Sequence, residues 1–330
     1  VDMKLIVAGT GYVGLVQAAV CSEYGHEVYA YDVDKDKIDA FSTGQADEIE
    51  KFVMEPGLSN IIRETHGKSL FFSNDLKAII EGTDAIFLCL PTPSNLDGST
   101  NLTYFDTAAG EIAEILARRK DKRRIVLVSK STVPIQTARR LEGIMNEHGV
   151  ENFGVASNPE FLAEGTAVNQ ARRPDRVVVG CDHAEDFKIL RRVYSQFVHH
   201  VRIKYIETTP ETAEAIKYVA NTMLLTYISF WNGVGAKIGE KISNVNIDDL
   251  RLGVTADDRI STWGSFVSNG AGGSCFGKDI ASLIYQLRRM NVSTKCWRLL
   301  LKSTNIRKYI WLIGRSMKPH LNLTIQVWRF

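Results

Sequence analysis

Short apolar runs recur through the first two hundred positions, separated by stretches of helical periodicity. The runs at Lys4–Ala8, Glu27–Tyr31, 69–72, 85–89, Ile125–Ser129, Phe153–Ser157 and 176–180 read as buried strands. Between them, an apolar segment ending at Tyr24 and the stretches 34–41, 76–81, 104–118, 135–147 and 184–197 read as helices. Strands that are apolar on both faces and alternate with helices predict an α/β fold, a doubly wound parallel sheet covered on both sides. From Pro210 the texture changes to long helices, with few breaks between Thr212 and Lys241. The pattern predicts a short helix near 247–250 and another over 280–290. A basic helical stretch is expected to about Met317. The expected organisation is a Rossmann-like domain over 1–200 and a mostly helical central domain over 201–300.

The first strand runs into Gly9-Thr10-Gly11-Tyr12-Val13-Gly14, and the second ends at Asp32. Strand, glycine turn, helix, strand and terminal acid, in that order, form a dinucleotide-binding fingerprint. The glycines allow a tight turn and close approach of a pyrophosphate to a helix N-terminus. Asp32 stands where a carboxylate would bond the adenosine ribose hydroxyls and repel a 2'-phosphate, so NAD is expected rather than NADP. A second glycine set, Gly233, Gly235 and Gly239, has no strand before it and reads as close helix packing or a bend.

In open α/β sheets ligands gather beyond the carboxyl ends of the strands. Three polar exits lie there: Pro91-Thr92-Pro93, Lys130-Ser131-Thr132 and Asn158-Pro159-Glu160. Further on, Glu214, Lys217 and Asn221 share one helix face, a polar stripe flanked by apolar positions. Such a stripe is either solvated or lines a cleft. The stretch 270–279, GAGGSCFGKD, sets a cysteine in a glycine-rich loop, as core filler or as a nucleophile.

Composition narrows the function without naming it. The chain has 330 residues, 45% of them hydrophobic and 24% charged, with a net charge of +2. That balance suits a globular protein of about two domains and argues against nucleic acid or an anionic membrane as partner. The basic run 118–124 sits between a helix and a strand and reads as a solvated turn. Five cysteines, at 21, 89, 181, 275 and 296, have neither CxxC nor metal-ligand spacing. No metal is expected, and the reading is a cytoplasmic, reducing location. The strand at Lys4 leaves no room for a signal peptide, and no apolar run spans a bilayer.

Taken in order, the motifs resemble the UDP-glucose dehydrogenase family, within the wider UDP-glucose/GDP-mannose group. They are GTGYVGL (9–15), EPGL (55–58), the Thr-Pro of LPTP (92–93), KSTVP (130–134) and NPEFLAEGTAV (158–168). After these come PDRVVVG (174–180), the lysine and asparagine of KYVAN (217–221), DDRI (257–260) and GGSCFGKD (272–279). The resemblance covers about residues 3 to 300. It implies that a nucleotide-sugar C6 alcohol, such as that of UDP-glucose, is oxidised twice to the carboxylate with NAD. It implies Cys275 as the nucleophile of a thiohemiacetal and thioester, and Lys217 and Asn221 as oxyanion stabilisers. Asp279, Glu160 and Thr132 take the roles of water positioning and proton transfer. Phe161, Leu162, Glu164, Gly272 and Phe276 would shape the substrate site, with Arg259 reaching it from a partner subunit. Gly9, Gly11, Tyr12, Val13, Gly14, Asp32, Lys37, Pro91, Thr92, Thr132, Glu164 and Lys278 would hold NAD. A homodimer through the helices after Pro210 is implied as well.

The sequence departs from the family pattern in places. Ala271 stands where an aromatic is usual and Gly277 where a non-glycine is usual, which is expected to loosen the catalytic loop. Gly233 replaces a usual Glu, and Ser261–Asn269 matches poorly. The family has a third, nucleotide-sugar-closing domain, and 323–330 resembles its first strand. Residues 301–330 are therefore expected to be a connecting helix and the remnant of a truncated domain. GDP-mannose or a UDP-N-acetylhexosamine remain alternative substrates. A hydroxyacid-type dehydrogenase and a non-catalytic NAD-binding dimerising module remain alternative functions.

Overall fold

The computed structural model describes residues 3–268, 274–295 and 297. The chain divides into two compact units. Of the described residues, one holds 3–93 and 101–217, the other 94–100 and those from 218 to 297.

In the first unit β1 (Lys4–Ala8) leads through α1 (Tyr12–Glu23) to β2 (Glu27–Tyr31). Then follow α2 (Lys35–Ser42), α3 (Ala46–Glu50), α4 (Leu58–Thr65), β3 (Leu70–Ser73), α5 (Leu76–Ile79) and β4 (Ala85–Leu88). Next come α6 (Thr103–Arg118), β5 (Ile125–Ser129), α7 (Thr137–Glu147), β6 (Phe153–Ser157), α8 (Ala167–Arg172) and β7 (Arg176–Cys181). The last elements are α9 (Ala184–Val193), α10 (Ser195–Val198), β8 (Lys204–Thr208) and α11 (Pro210–Phe230). The eight strands form one sheet in the order β3-β2-β1-β4-β5-β6-β7-β8. Period-two alternation divides the core between its faces. Leu5, Val7, Val28, Ala30, Phe87, Val126 and Val128 join one buried cluster, while Ile6, Ala8, Ile86, Leu88, Ile125 and Leu127 join the other.

The sheet is mixed, where the apolar runs predicted a parallel one. β7 runs antiparallel to β6, and the two share only the pairs Ala156↔Cys181 and Ser157↔Gly180. β7 thus begins beyond the carboxyl end of β6, and its first residues flank the 158–161 segment. β8 pairs parallel to β7 at the sheet edge, with Gly180 opposite Thr208. This strand has no sequence counterpart above, because KYIET is half-polar and partly exposed. Gly180 must be glycine for packing. A Cβ there would lie 2.7 Å from Pro210 Cα and 2.8 Å from Ala213 Cβ, where α11 crosses the strand end. Gly154 serves similarly in β6, since a Cβ there would fall on the Asp186 carboxylate. That carboxylate is fully buried and held by Arg124 at 2.6 and 3.0 Å. The helix expected over 184–197 breaks at Tyr194, between α9 and α10.

The second unit holds the later turns of α11, a π-helical turn at Trp231–Gly235, α12 (Ala236–Lys241), α13 (Ile247–Thr255) and α14 (Ser274–Arg289). The π turn has a local cause. Asn232 Nδ2 donates back to the Ile228 carbonyl at 2.9 Å, and Asn232 Oδ1 accepts from the Ser268 N–H at 2.9 Å. Gly235 gives the Trp231 ring room, and Gly239 gives room to Ile247, so these two of the second glycine set are used for packing, while Gly233 faces open space. α14 begins at Ser274, before the predicted 280. Gly277 weakens the local helix signal, but Phe276, Ile280 and Ile284 are spaced to pack on Leu225. Burial of that stripe outweighs the propensity.

Candidate active site

The first half of the site is the turn from β1 into α1. Gly9 has φ +95, and a Cβ on it would collide with the Cys89 carbonyl. A Cβ on Gly14 would strike the Gly9 carbonyl. Gly11 instead faces open space, with nothing within 4 Å of a Cβ. It precedes an α1 N-terminus that has neither a capping side chain nor an acid in its first turn. The first N–H groups of the helix are therefore left to an anion. Tyr12 and Val13, partly buried, begin the helix there.

At the end of β2, Asp32 Oδ2 accepts from Thr10 N–H at 2.8 Å and Thr10 Oγ1 at 2.7 Å, and Oδ1 accepts from Asp34 N–H at 3.0 Å. Burial opposes ionisation of Asp32, but these donors and Lys37 at 3.7 Å together hold its carboxyl below the usual range. The acid is thus fixed and charged at the rim of the turn, as a ribose anchor requires. Thr92 Oγ1 donates to the Thr132 carbonyl at 3.0 Å, and Leu90 N–H donates to Ser131 Oγ at 2.7 Å. The β4 and β5 exits, which include Pro91, are stitched together. An open glycine turn, a bare helix N-terminus and a fixed acid fit NAD.

The second group sits past β6. Glu160 Oε1 accepts from Lys217 Nζ at 2.9 Å, and Oε2 accepts from Leu162 N–H at 2.6 Å. Both partners of the ion pair are nearly buried, at 6% and 9% side-chain exposure. The Phe161 ring meets two cations, with the Arg176 guanidinium 3.8 Å and the Lys217 ammonium 5.5 Å from its centre. Glu164 is exposed on the same loop. Beneath the loop, Lys130 Nζ donates to Asn158 Oδ1 at 2.9 Å and Tyr194 Oη donates to the same oxygen at 2.5 Å. Asn158 Nδ2 donates to the Val178 carbonyl at 2.7 Å. Burial pushes the Lys130 ammonium below its usual pKa. The polar stripe expected on α11 is not solvated in this unit, because Glu214 and Lys217 are 3% and 4% exposed.

Within the second unit, Asn221 Nδ2 donates to Asp279 Oδ2 at 2.6 Å, and Lys278 Nζ donates to Asp279 Oδ1 at 2.8 Å. Asp279 is 1% exposed. Cys275 lies in the first turn of α14, exposed and not in a disulfide. Phe276 packs on the cluster of Leu225, Ile280 and Ile284. Arg259 is exposed and grips Asp257 through two bonds, of 3.0 and 2.6 Å. Gly272 and the rest of 269–273 lie outside the described residues, as do Cys296 and residues 298–330. Burial drives the thiols of Cys21 and Cys89 up to about 12, so those two are packing residues.

One side chain that braces this loop had no sequence signal beyond its motif. Glu55, buried in EPGL, accepts from Gly165 N–H at 2.8 Å and Ala167 N–H at 2.6 Å. It pins the far end of the 158–166 loop. A glutamate ahead of Pro-Gly is the cue the sequence offers.

The glycine turn, the acid at the end of β2 and the mixed Rossmann sheet define a dinucleotide-binding protein. Residues 3–198 match the NAD binding domain of the UDP-glucose/GDP-mannose dehydrogenase family, and residues 211–305 match its central domain. The chain belongs to this family, and NAD is its cofactor. It is 34% identical over 303 residues to a UDP-glucose 6-dehydrogenase of Pseudomonas aeruginosa, covering 90% of this chain and 64% of that protein. The chain thus spans 64% of that relative's length. Among solved structures, a UDP-glucose dehydrogenase from Pyrobaculum islandicum superposes with a TM-score of 0.85 at 30% identity, covering 96% of this chain and 71% of the other. A GDP-mannose dehydrogenase from Pseudomonas aeruginosa gives 0.70 at 29% identity, covering 94% and 71%.

Proposed function

We propose that the chain carries the NAD-dependent, four-electron oxidation of UDP-glucose to UDP-glucuronate. The observation that carries this reading is the start of α14. There an exposed Cys275 stands one turn before a buried Asp279 that holds both Asn221 and Lys278. A single oxidation needs no thiol, whereas passing from aldehyde to acid needs a covalent adduct that can be oxidised again. NAD supplies the hydride acceptor for both steps. Lys217, an ammonium bonded to Glu160, relays the alcohol proton by passing one of its own to that carboxylate, and with Asn221 holds the developing oxyanion. Cys275 Sγ adds to the aldehyde carbon as a thiohemiacetal. Loss of the second hydride leaves a thioester. A water held by Asp279, Glu160 and Thr132 then attacks the thioester carbon, releasing the carboxylate and the thiol. Phe161, Leu162, Glu164, Gly272 and Phe276 shape the substrate site, and Arg259 reaches it from a second subunit.

Several observations support the finer parts. UDP-glucose rests on the AEGTAV and PDR wording and on the Pseudomonas aeruginosa relative. A homodimer rests on Val219, Met223, Phe230 and Val234, large apolar side chains exposed on the long helix and its π turn. A cytoplasmic location rests on thiols that form no disulfide among the described residues.

The test is incubation with NAD and UDP-glucose, GDP-mannose or UDP-N-acetylmannosamine while NADH absorbance is followed. Two NADH per UDP-glucose, lost in Cys275→Ala, is the expected result; acid formation by Cys275→Ala would remove the thiol from the mechanism. The match to the NAD binding domain would by itself fit a second reading, an NAD-binding and dimerising module. NAD binding without turnover of any of the three sugars would select it.

A further inference from the structure

Glu214 is used by none of the proposed steps, yet it is one of the most fully bonded carboxylates in the first unit. Its Oε2 accepts from Gln136 N–H at 2.6 Å. Its Oε1 accepts from Ala138 N–H at 2.8 Å and from Ser157 Oγ at 3.2 Å. The residue is 3% exposed. α7 needs such an acceptor. Its N-cap, Gln136, sits in the left-handed region at φ +80 without a side-chain cap bond, and its first turn carries no acid. Glu214 therefore supplies the missing cap from a distant helix, and in doing so ties three segments together.

The spacing gives this tie a second meaning. Glu160 follows Ser157 by three residues, and Lys217 follows Glu214 by three residues on α11. Lys217 and Glu160 then bond at 2.9 Å. The Ser157–Glu214 and Glu160–Lys217 bonds are two rungs between the same two segments, and α7 braces the first rung from behind. We infer that Glu214 is a positioning residue: through its bonds to Ser157 and the α7 N-terminus it sets where Lys217 stands against Glu160. The catalytic part of this inference rests on the role proposed for Lys217; the mechanical part does not.

The test uses a readout independent of turnover. The full chain is pulsed with cyanate at pH 8, and carbamylation of the Lys217 amine is followed by peptide mass spectrometry. Exchange at the Gln136 and Ala138 amides is read in parallel. Loss of a hydrogen bond to a charged group shifts a local equilibrium by about tenfold or more. Glu214→Ala should therefore raise the Lys217 labelling rate about tenfold at unchanged NAD affinity, and Glu214→Gln should restore part of the protection. Ser157→Ala removes only the rung, the longest of the three bonds at 3.2 Å, leaves both shorter α7 bonds, and should raise the rate by a smaller factor of about threefold. Unchanged Lys217 labelling in both Glu214→Ala and Ser157→Ala would overturn the proposal, and with faster Gln136 and Ala138 exchange would reduce Glu214 to a helix cap. If Glu214→Ala fails to bind NAD, the Ser157→Ala labelling decides alone. Because no arm needs sugar oxidation, an inactive chain would sink the proposed reaction without touching this result.

Discussion

Removing both members of the Lys217–Glu160 pair should cost less than the summed cost of removing each alone. At 2.9 Å and an effective dielectric near 20, the Coulomb term is about 6 kcal/mol. Desolvation of two nearly buried charges offsets most of it, which leaves a net charged hydrogen bond of about 2–3 kcal/mol. Glu160→Gln alone strands the Lys217 ammonium, with the buried Lys130 cation acting on the same carboxylate from below, and should destabilise the first unit by about 3–5 kcal/mol. Lys217→Met alone strands the carboxylate, which keeps the Leu162 N–H, and should cost about 2–4 kcal/mol. The double variant should cost less than the sum by about 2–3 kcal/mol. Urea unfolding can be followed in each unit, because Trp231, Trp263 and Trp297 lie in the second. Fluorescence from these three reports the second unit, and far-UV circular dichroism adds the first. A coupling energy under about 0.5 kcal/mol would refute the reasoning and make the pair a surface-like contact.

Three further outcomes follow from packing and charge. Gly154→Ala should destabilise the first unit by about 2–4 kcal/mol, because its Cβ must displace the Asp186 carboxylate from Arg124; a urea midpoint equal to that of the unsubstituted chain would contradict this. Gly277→Ala should raise the melting point read by tryptophan fluorescence, by a stability of about 0.5–1 kcal/mol, since the position is helical and a Cβ meets nothing within 4 Å; a fall would contradict the early start of α14. Burial lifts the Glu214 carboxyl to about 7, against its three donors, with Glu211 one turn away adding to the lift and itself held by Arg139. A raised carboxyl favours the folded state fully below about pH 4.5, and that advantage is lost as pH rises through about 7. Between pH 4.5 and 8 the unsubstituted chain should lose on the order of 3 kcal/mol relative to Glu214→Gln; a pH-independent difference would exclude the shift.

Legibility in the sequence followed the range of the interaction. Everything from Gly9 to Asp32 is local, so turn, helix and acid could be read directly and stand where expected. The direction of β7 could not be read, because an apolar run carries no arrow, and β8 was hidden by the polarity of an edge strand. Glu214 was visible only as part of a stripe; its partners Ala138 and Gln136 lie 76 and 78 residues away in the chain. Glu55 reaches Ala167 across 112 residues, a bond that no window of periodicity can contain. Gly277 misled for another reason. Intrinsic propensity placed the start of α14 too late, and burial of Phe276, Ile280 and Ile284 moved it forward over Cys275.

The π turn at Trp231–Gly235 sets a phase as well as a bend. One residue more than an α-turn rotates everything beyond Gly235 by roughly 100° about the helix axis. A single-codon deletion at Gly233, beside whose Cβ position there is open space, would restore α-helical phase and swing α12 away from α13. An insertion or deletion here therefore acts as a dial rather than a cut: it changes which residues Ile247 meets while leaving the length of the helix almost unaltered.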